Sequence, residues 1–343
     1  MNVLLTSCGR RAYLVRYFKE ALKLSGGGEV HCVNSDPVSP CAAVCDRFQV
    51  APAIYDEKYI DFLLDYCRDN SIDAIVSLFD IDLPVLARAR DRFSAQGVTL
   101  VVPDEAVASL VSDKYELGNV LSAAGIGAPV TARGLDEAVS LINEGVLSYP
   151  VVVKPRRGTG SIETYVAENE EELRFFHARA EKMAGKTYLK HEAAELCPGG
   201  RILVQEFIKG DEYGLDIVCD LDGNYAGTLA RKKIRMRSGE TDACVTVRDE
   251  LINETGAKIA KVLASKGIQR GPVDADVIVS GGKAYVIDVN ARFGGGYPFS
   301  HNAGANVPLA IVKQLKGGPF DKKLVSQEAG VTAAKAPETF TIN

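Results

Sequence analysis

The chain has 343 residues, 46% hydrophobic and 25% charged, which suits two or three soluble cores and excludes fibrous and low-complexity classes. Its net charge of −5 supplies no overall field to draw in nucleic acid or an anionic membrane, although a local basic site for an anionic ligand is allowed. Cys41 and Cys45 have no second pair at zinc spacing, the opening residues are too short for a signal-peptide core, and no apolar run nears the ~20 residues of a membrane span, so a cytoplasmic chain with reduced thiols is expected.

From the N-terminus the pattern alternates β and α. "NVLLTS" (2–7) reads as a buried strand, and Leu14, Phe18, Ala21 and Leu22 mark one stripe of a helix stopped by "SGGG". "EVHCVN" (29–34) is a second strand, Tyr59, Phe62, Leu63, Tyr66 and Cys67 form another helical stripe, and "IDAIVSL" and "VTLVVP" are further strands. That order predicts a doubly wound parallel sheet with ligands at the carboxyl ends of its strands, where "SCGRR", "NSD" and "LFDID" fall. The first turn, "SCGRRAY", lacks G-x-G-x-x-G, which argues against a dinucleotide-dependent dehydrogenase. Arg10 and Arg11 stand at a helix start, where the dipole favours an anion, and are candidate substrate contacts.

In "SDKYELGNVLSAAGI" Ser112 is expected to cap a helix that Gly125 ends. "YPVVVKPRRGTGS" is a strand entering a basic, glycine-containing turn, followed by a helix over 170–184. Antiparallel strands are expected at 202–208, 213–219 and 225–234, then a helix near 250–266 and strands at 273–279 and 283–289. "DGN" (222–224) and "SGGK" (280–283) are hairpin turns, and 317–343 has the weak periodicity of a loose tail.

Several stretches carry candidate chemistry. Lys154, Arg157, Gly158, Thr159, Gly160 and Ser161 follow a strand, and glycines there would let backbone N–H groups close on phosphate oxygens; a solvated hairpin loop fits equally, and no Walker A motif is present. Gln205, Glu206, Phe207 and Ile208 end a buried strand whose free backbone groups could meet an adenine edge, with Glu212 beyond them; an ordinary hairpin with surface acids is the plainer reading. In "YVIDVNARFGGG" strand alternation sends Asp288, Asn290 and Arg292 to one face, where burial without partners would cost several kcal/mol. If the strand of Asp276 pairs beside it, Asp276, Asp288 and Asn290 converge as oxygen ligands for Mg²⁺, with Asp274 competing on the same face. A salt bridge between aspartate and Arg292 capping the sheet is the alternative. Lys232, Arg235 and Arg237 form a basic cluster at another strand end, and "GGG" at 294–296 is expected to leave room for a substrate.

The order of these elements resembles the ATP-grasp superfamily over about residues 1–316, in particular its branch similar to the carbamoyl-phosphate-synthase large subunit and other carboxylate–amine ligases. The resemblance implies an α/β pre-ATP-grasp domain (1–110) followed by two α+β subdomains (111–190 and 191–320) that clamp ATP, and a tail (321–343). It implies that Lys114, Lys154 and the loop 157–161 contact phosphates, that 205–208 is the adenine hinge, and that Glu212 holds ribose. Asp276, Asp288 and Asn290 would hold Mg²⁺, or Mn²⁺ in its place, and Arg292 would face the transferred phosphoryl group. Asp288 stands where the family usually carries glutamate, which leaves one or two metals open. The implied reaction activates a carboxylate as an acyl phosphate for attack by an amine; a kinase, a carboxylase and a non-catalytic nucleotide-binding subunit are the rivals. Small-molecule acid and amine partners and a homodimer complete the implication.

Overall fold

Val3, Leu4 and Leu5 are wholly buried, as a central strand covered on both faces requires. The computed structural model describes residues 1–158, 160, 162–184, 186 and 197–342. Its first sheet is parallel, in the order β3-β2-β1-β4-β5, and is built from β1 (Asn2–Thr6), β2 (Val30–Asn34), β3 (Arg47–Val50), β4 (Ile72–Ser77) and β5 (Thr99–Val101). The connections carry α1 (Ala12–Leu24), α2 (Tyr59–Asp69), α3 (Asp82–Arg88) and α4 (Arg90–Ser94). Leu14, Phe18, Ala21 and Leu22 form the buried stripe of α1, as their spacing predicts. Strand order reverses between β1 and β4, so a crevice opens beyond their carboxyl ends.

Two abutting helices, α5 (Glu105–Ser112) and α6 (Lys114–Ala123), lead out of this domain. The expected cap on Ser112 is corrected here. Ser112 ends α5 and donates its hydroxyl to the Ala108 carbonyl at 2.7 Å, while Asp113 caps α6 by accepting from the Tyr115 and Glu116 amides. The second sheet is antiparallel, β6-β9-β7-β8, from β6 (Thr131–Arg133), β7 (Val151–Pro155), β8 (Tyr165–Ala167) and β9 (Ile202–Glu206), backed by α7 (Leu135–Asn143) and α8 (Glu170–Ala184). It has its own core around Val151, Val153, Leu173 and Val204.

The third sheet runs β14-β13-β10-β11-β12-β15, from β10 (Asp211–Cys219), β11 (Tyr225–Arg237), β12 (Glu240–Val247), β13 (Gly271–Ser280), β14 (Lys283–Asn290) and β15 (Thr332–Ala334). It carries α9 (Glu250–Ala264), then α10 (Tyr297–Asn302) and α11 (Val307–Leu315). One core cluster joins Leu63 and Ile75 of the first domain to Leu215 and Ala275 of this sheet and Ile259 of α9. Two features depart from the sequence reading. An unexpected strand follows the basic end of β11: Ser238 and Gly239 both take left-handed backbone, as a tight hairpin needs, and β12 begins at once. The closing stretch read as a tail supplies β15, whose residues 332–334 pair with 243–245 of β12.

Candidate functional site

A cavity of about 290 Å³ lies between the second and third sheets. It is lined by Lys114, Lys154, Gly158 and Gly160 on one side and by Glu212, Asp276 and Asp288 on the other, with Gln205, Glu206, Phe207 and Ile208 along its back. Thr159 and Ser161 lie outside the described residues.

The near wall is set by Asp113. Besides capping α6, it grips Arg156 with both oxygens at 2.8 Å, and this buried fork also meets the Pro198 carbonyl at 2.8 Å. Lys114, the first residue of α6, is thereby pinned beside the loop. Its Nζ donates to the Gly158 carbonyl at 2.7 Å and reaches Asp288 Oδ1 at 3.1 Å. Arg157 sits back against Asp113 at 3.5 Å. Lys154 is buried at the end of β7, with its Nζ 3.4 Å from the Ile287 carbonyl. Burial, reinforced by the neighbouring Lys114, lowers the Lys154 ammonium to about 8, against the pull of Asp288 and Asp276.

The far wall is a row of charge across four strands. Asp276 of β13 faces Asp288 of β14 in register, and Asp274 faces Asn290. Gly214 of β10 lies opposite both Asp276 and Arg231, so long basic side chains of β11 reach across it. Lys233 binds Asp276 at 2.7 Å and lies 3.7 Å from Glu212. Arg231 binds Asp216 at 2.6 Å and Asp274 at 3.3 Å. Burial would raise the Asp288 carboxyl, but Lys114 and Lys154 outweigh it and hold the group below the usual carboxylate range. Asn290 donates to Asp288 Oδ2 at 3.4 Å, which leaves its amide oxygen for another partner.

Arg292 points from the end of β14 toward the first domain. It binds Asp80, past the end of β4, at 2.8 Å and Asp274 at 3.4 Å. Asp80 and Asp274 hold this arginine firmly charged despite its burial. The salt bridge weighed as an alternative for Arg292 therefore exists, and it joins two domains.

Among the basic residues singled out from sequence, Lys232 pairs with Asp211 at 2.7 Å on the exposed side, while Arg235 and Arg237 pair with Asp242 at 2.6 and 3.8 Å. Lys233 and Arg231, one step out of phase, face the cleft instead. The register shift between Lys233 and Arg235 is a local irregularity that the sequence does not mark. Arg10 meets Glu240 at 3.8 Å, and Arg11 stands near Arg292, Asp80 and Asp274. The glycines at 294–296 also differ from expectation. A Cβ on Gly294 would collide with Asp274, and one on Gly296 with the Arg231 guanidinium, so these two leave room for the ion network and not for substrate.

The donors present suit a hard divalent cation. Two carboxylates face each other in register beside an amide oxygen, and Lys114 and Lys233 hold the places of positive charge. Among the described residues, no group of three acidic, histidine or cysteine side chains is already gathered around one point. No helix among them is long and apolar enough to cross a membrane.

A family model described as an ATP-grasp domain matches residues 111–296. The chain belongs to the ATP-grasp family. A second model, the N-terminal domain of PylC-like proteins, matches residues 3–101. This ATP-grasp chain is 27% identical over 312 residues to the carbamoyl phosphate synthase large chain of Helicobacter pylori, covering 86% of itself and 27% of that protein. It is 23% identical over 319 residues to the large chain from Sulfolobus acidocaldarius, with 90% and 28% covered. It thus spans about a quarter of the length of the curated relatives it matches. Its fold matches biotin carboxylase from Campylobacter jejuni (TM-score 0.73, 19% identity, 93% of this chain and 72% of that one). It also matches an L-amino acid ligase from Bacillus licheniformis (TM-score 0.73, 18% identity, 98% and 81%).

Proposed function

We propose that this ATP-grasp chain is an ADP-forming carboxylate–amine ligase. The observation that carries the reading is the in-register pair Asp276–Asp288, flanked by Lys114, Lys154 and Lys233 in a cleft between two sheets. Lys114 and Lys154 bind the phosphates, Gly158 and Gly160 let the loop close over them, residues 205–208 take the adenine edge, and Glu212 takes a ribose hydroxyl. Glu206 and Gln205 serve this hinge through backbone, because the Glu206 carboxylate accepts from the Val130 amide and Gln205 donates to Thr131.

Asp276, Asp288 and Asn290 are the residues that would hold Mg²⁺, with Mn²⁺ meeting the same donors. The cleft itself asks for such an ion. Its lining carries Lys114, Lys154 and Lys209 against Glu206, Glu212, Asp276 and Asp288, so a bare triphosphate meets no net attraction. When bound, the metal neutralises phosphate charge and screens it from the two aspartates. A substrate carboxylate oxygen attacks the terminal phosphorus, the bond to ADP breaks, and Arg292 steadies the charge on the transferred group. An amine then attacks the acyl carbon, the C–O bond to phosphate breaks, and an amide, inorganic phosphate and a proton are released. No side-chain nucleophile is required; positioning and fixed charge do the chemistry. Arg10 and Arg11 would contact the substrates in this reading, and assembly as a homodimer belongs to the same proposal.

Asp288→Asn tests the reading. It should lower ADP release in a coupled assay by at least about a hundredfold, while ATP without Mg²⁺ binds no more weakly, since one carboxylate facing phosphate is gone. ADP production at the wild-type rate would sink the metal assignment. ADP formed with a single substrate, together with a stable phosphorylated product, would mark a kinase instead.

A further inference from the structure

At the far end of α1 the chain gathers positive charge that the ATP cleft does not use. A second cavity, of about 760 Å³, opens where the end of α1 meets the end of α11 and the residues that follow it. It shares no lining residue with the cleft between the sheets. Lys313, Lys316, Lys322 and Lys323 line it against the single carboxylate of Asp321. This local surplus of positive charge stands in a chain whose net charge is −5.

The walls are fixed largely through backbone groups, which leaves ammonium donors to spare. Lys316 donates to the Ser25 and Gly27 carbonyls, the latter at 3.2 Å, and so ties α11 to the end of α1. Asp321 caps the short turn Lys322–Leu324 by accepting from the Lys323 amide at 3.2 Å, and its other oxygen takes Lys313 at 3.3 Å. Lys322 reaches the Tyr225 carbonyl at 3.4 Å, and among the described residues the Lys323 ammonium meets no carboxylate within 4.0 Å. Ser25, on the same wall, has a buried hydroxyl without a hydrogen-bond partner. The rest of the lining is apolar: Leu24, 62% exposed at its helix end, with Pro319 and Phe320.

We propose that this cavity is a second ligand site, separate from the ATP cleft, and that it binds an organic phosphate. The phosphate would sit among Lys313, Lys322 and Lys323, and an apolar body would cover Leu24 and Phe320. Charge decides the class, because clustered ammonium groups repel one another until a dianion joins them, and lysine is a common phosphate binder. Inorganic phosphate alone would leave the apolar wall in water, whereas the volume suits a ligand of nucleotide size. One aspartate among four lysines offers no oxygen cage for a divalent cation, so the ligand binds without metal. The inference stands independently of the ligase reading.

The test titrates the full chain with naphthyl phosphate in the presence of EDTA and follows fluorescence anisotropy, with no tryptophan in the chain to interfere. Without a divalent cation the ATP cleft, where acids outnumber lysines, gives the probe no net attraction. Wild type should bind the probe at least about tenfold more tightly than neutral naphthalenemethanol. Lys322→Gln/Lys323→Gln, which removes two exposed lysines, should weaken binding at least about tenfold, while Lys154→Met in the cleft should leave it unchanged. A melting temperature within about 1 °C of wild type shows that the double variant is folded; should it melt lower, Lys323→Gln alone is read, with a loss of about threefold. No binding by wild type, equal binding of the neutral alcohol, full affinity in the lysine variants, or an equal loss in Lys154→Met overturns the inference.

Discussion

Gly296 is the position where one added methyl group should be felt most. Its backbone is ordinary, with φ of −86°, so alanine brings no backbone strain, but its Cβ would overlap the Arg231 guanidinium. That guanidinium cannot swing aside cheaply. Arg231 and Asp216 are 2% and 1% exposed and joined at 2.6 Å, and among the described residues Asp216 has only the Ser300 hydroxyl, also at 2.6 Å, as further side-chain support. Expelling Arg231 would strand a buried carboxylate, which costs roughly 3–5 kcal/mol. Shifting the start of α10 instead is an overpacking problem of roughly 1–3 kcal/mol. The molecule takes the cheaper route, so Gly296→Ala should lose about 2–3 kcal/mol and about 3–4 °C in thermal unfolding followed by calorimetry. Gly118→Ala is the control: nothing lies within 4 Å of a Cβ there, in the middle of α6, and alanine should gain about 0.5–1 kcal/mol. In an Arg231→Ala background the Gly296→Ala change should become nearly free, because the clashing group is gone. A Gly296→Ala protein melting within about 1 °C of wild type, or one equally damaged with and without Arg231, would refute the reasoning.

Other outcomes follow from the same charges. Lys154 titrates near 8 in the folded protein, against roughly 10.4 for a free lysine, so KM for ATP should climb as pH rises through 8 and the phosphates lose that ammonium. The stability sign is opposite: the unfolded chain binds the extra proton between those two values, so folding becomes more favourable as pH rises across that window, and Lys154→Met should flatten both trends in titration calorimetry and urea unfolding. Chelation should stop ADP release until Mg²⁺ or Mn²⁺ is restored. The melting temperature of the nucleotide-free protein should move by less than about 1 °C, because Lys114 and Lys233 already neutralise Asp288 and Asp276.

Local pattern was enough to read most of the framework. The stripe of α1, the helix at 170–184 and the pairing of β13 with β14 through "SGGK" all depend on short-range periodicity and turn chemistry, and they stand where the sequence puts them. The polar face of β14 was legible for the same reason, since Asp288, Asn290 and Arg292 interrupt an apolar strand. What stayed hidden depends on register or on distance along the chain. Lys232 and Lys233 differ by one step of alternation, and only strand pairing reveals which of them meets Asp276. Asp80 gives no local sign of its bond to Arg292, because its neighbours read simply as a strand end. β12 escaped notice because its two-residue turn sits in a run of charged residues. The closing stretch has too little hydrophobic periodicity to announce β15, yet backbone pairing with β12 and the Glu338–Arg16 contact tie it down.

The Asp80–Arg292 bond also constrains when the protein becomes competent during its own synthesis. The two residues are 212 positions apart. At roughly 5–20 residues per second on the ribosome, the first partner waits about 10–40 s for the second. The parallel sheet and the α6 lysine can be in place through that interval, but the arginine proposed to face the transferred phosphoryl group is not yet made. On the proposed reading, a nascent chain spends most of its elongation unable to consume ATP. Chains arrested before residue 292 should release no ADP, whereas chains arrested far enough beyond it to clear the exit tunnel should.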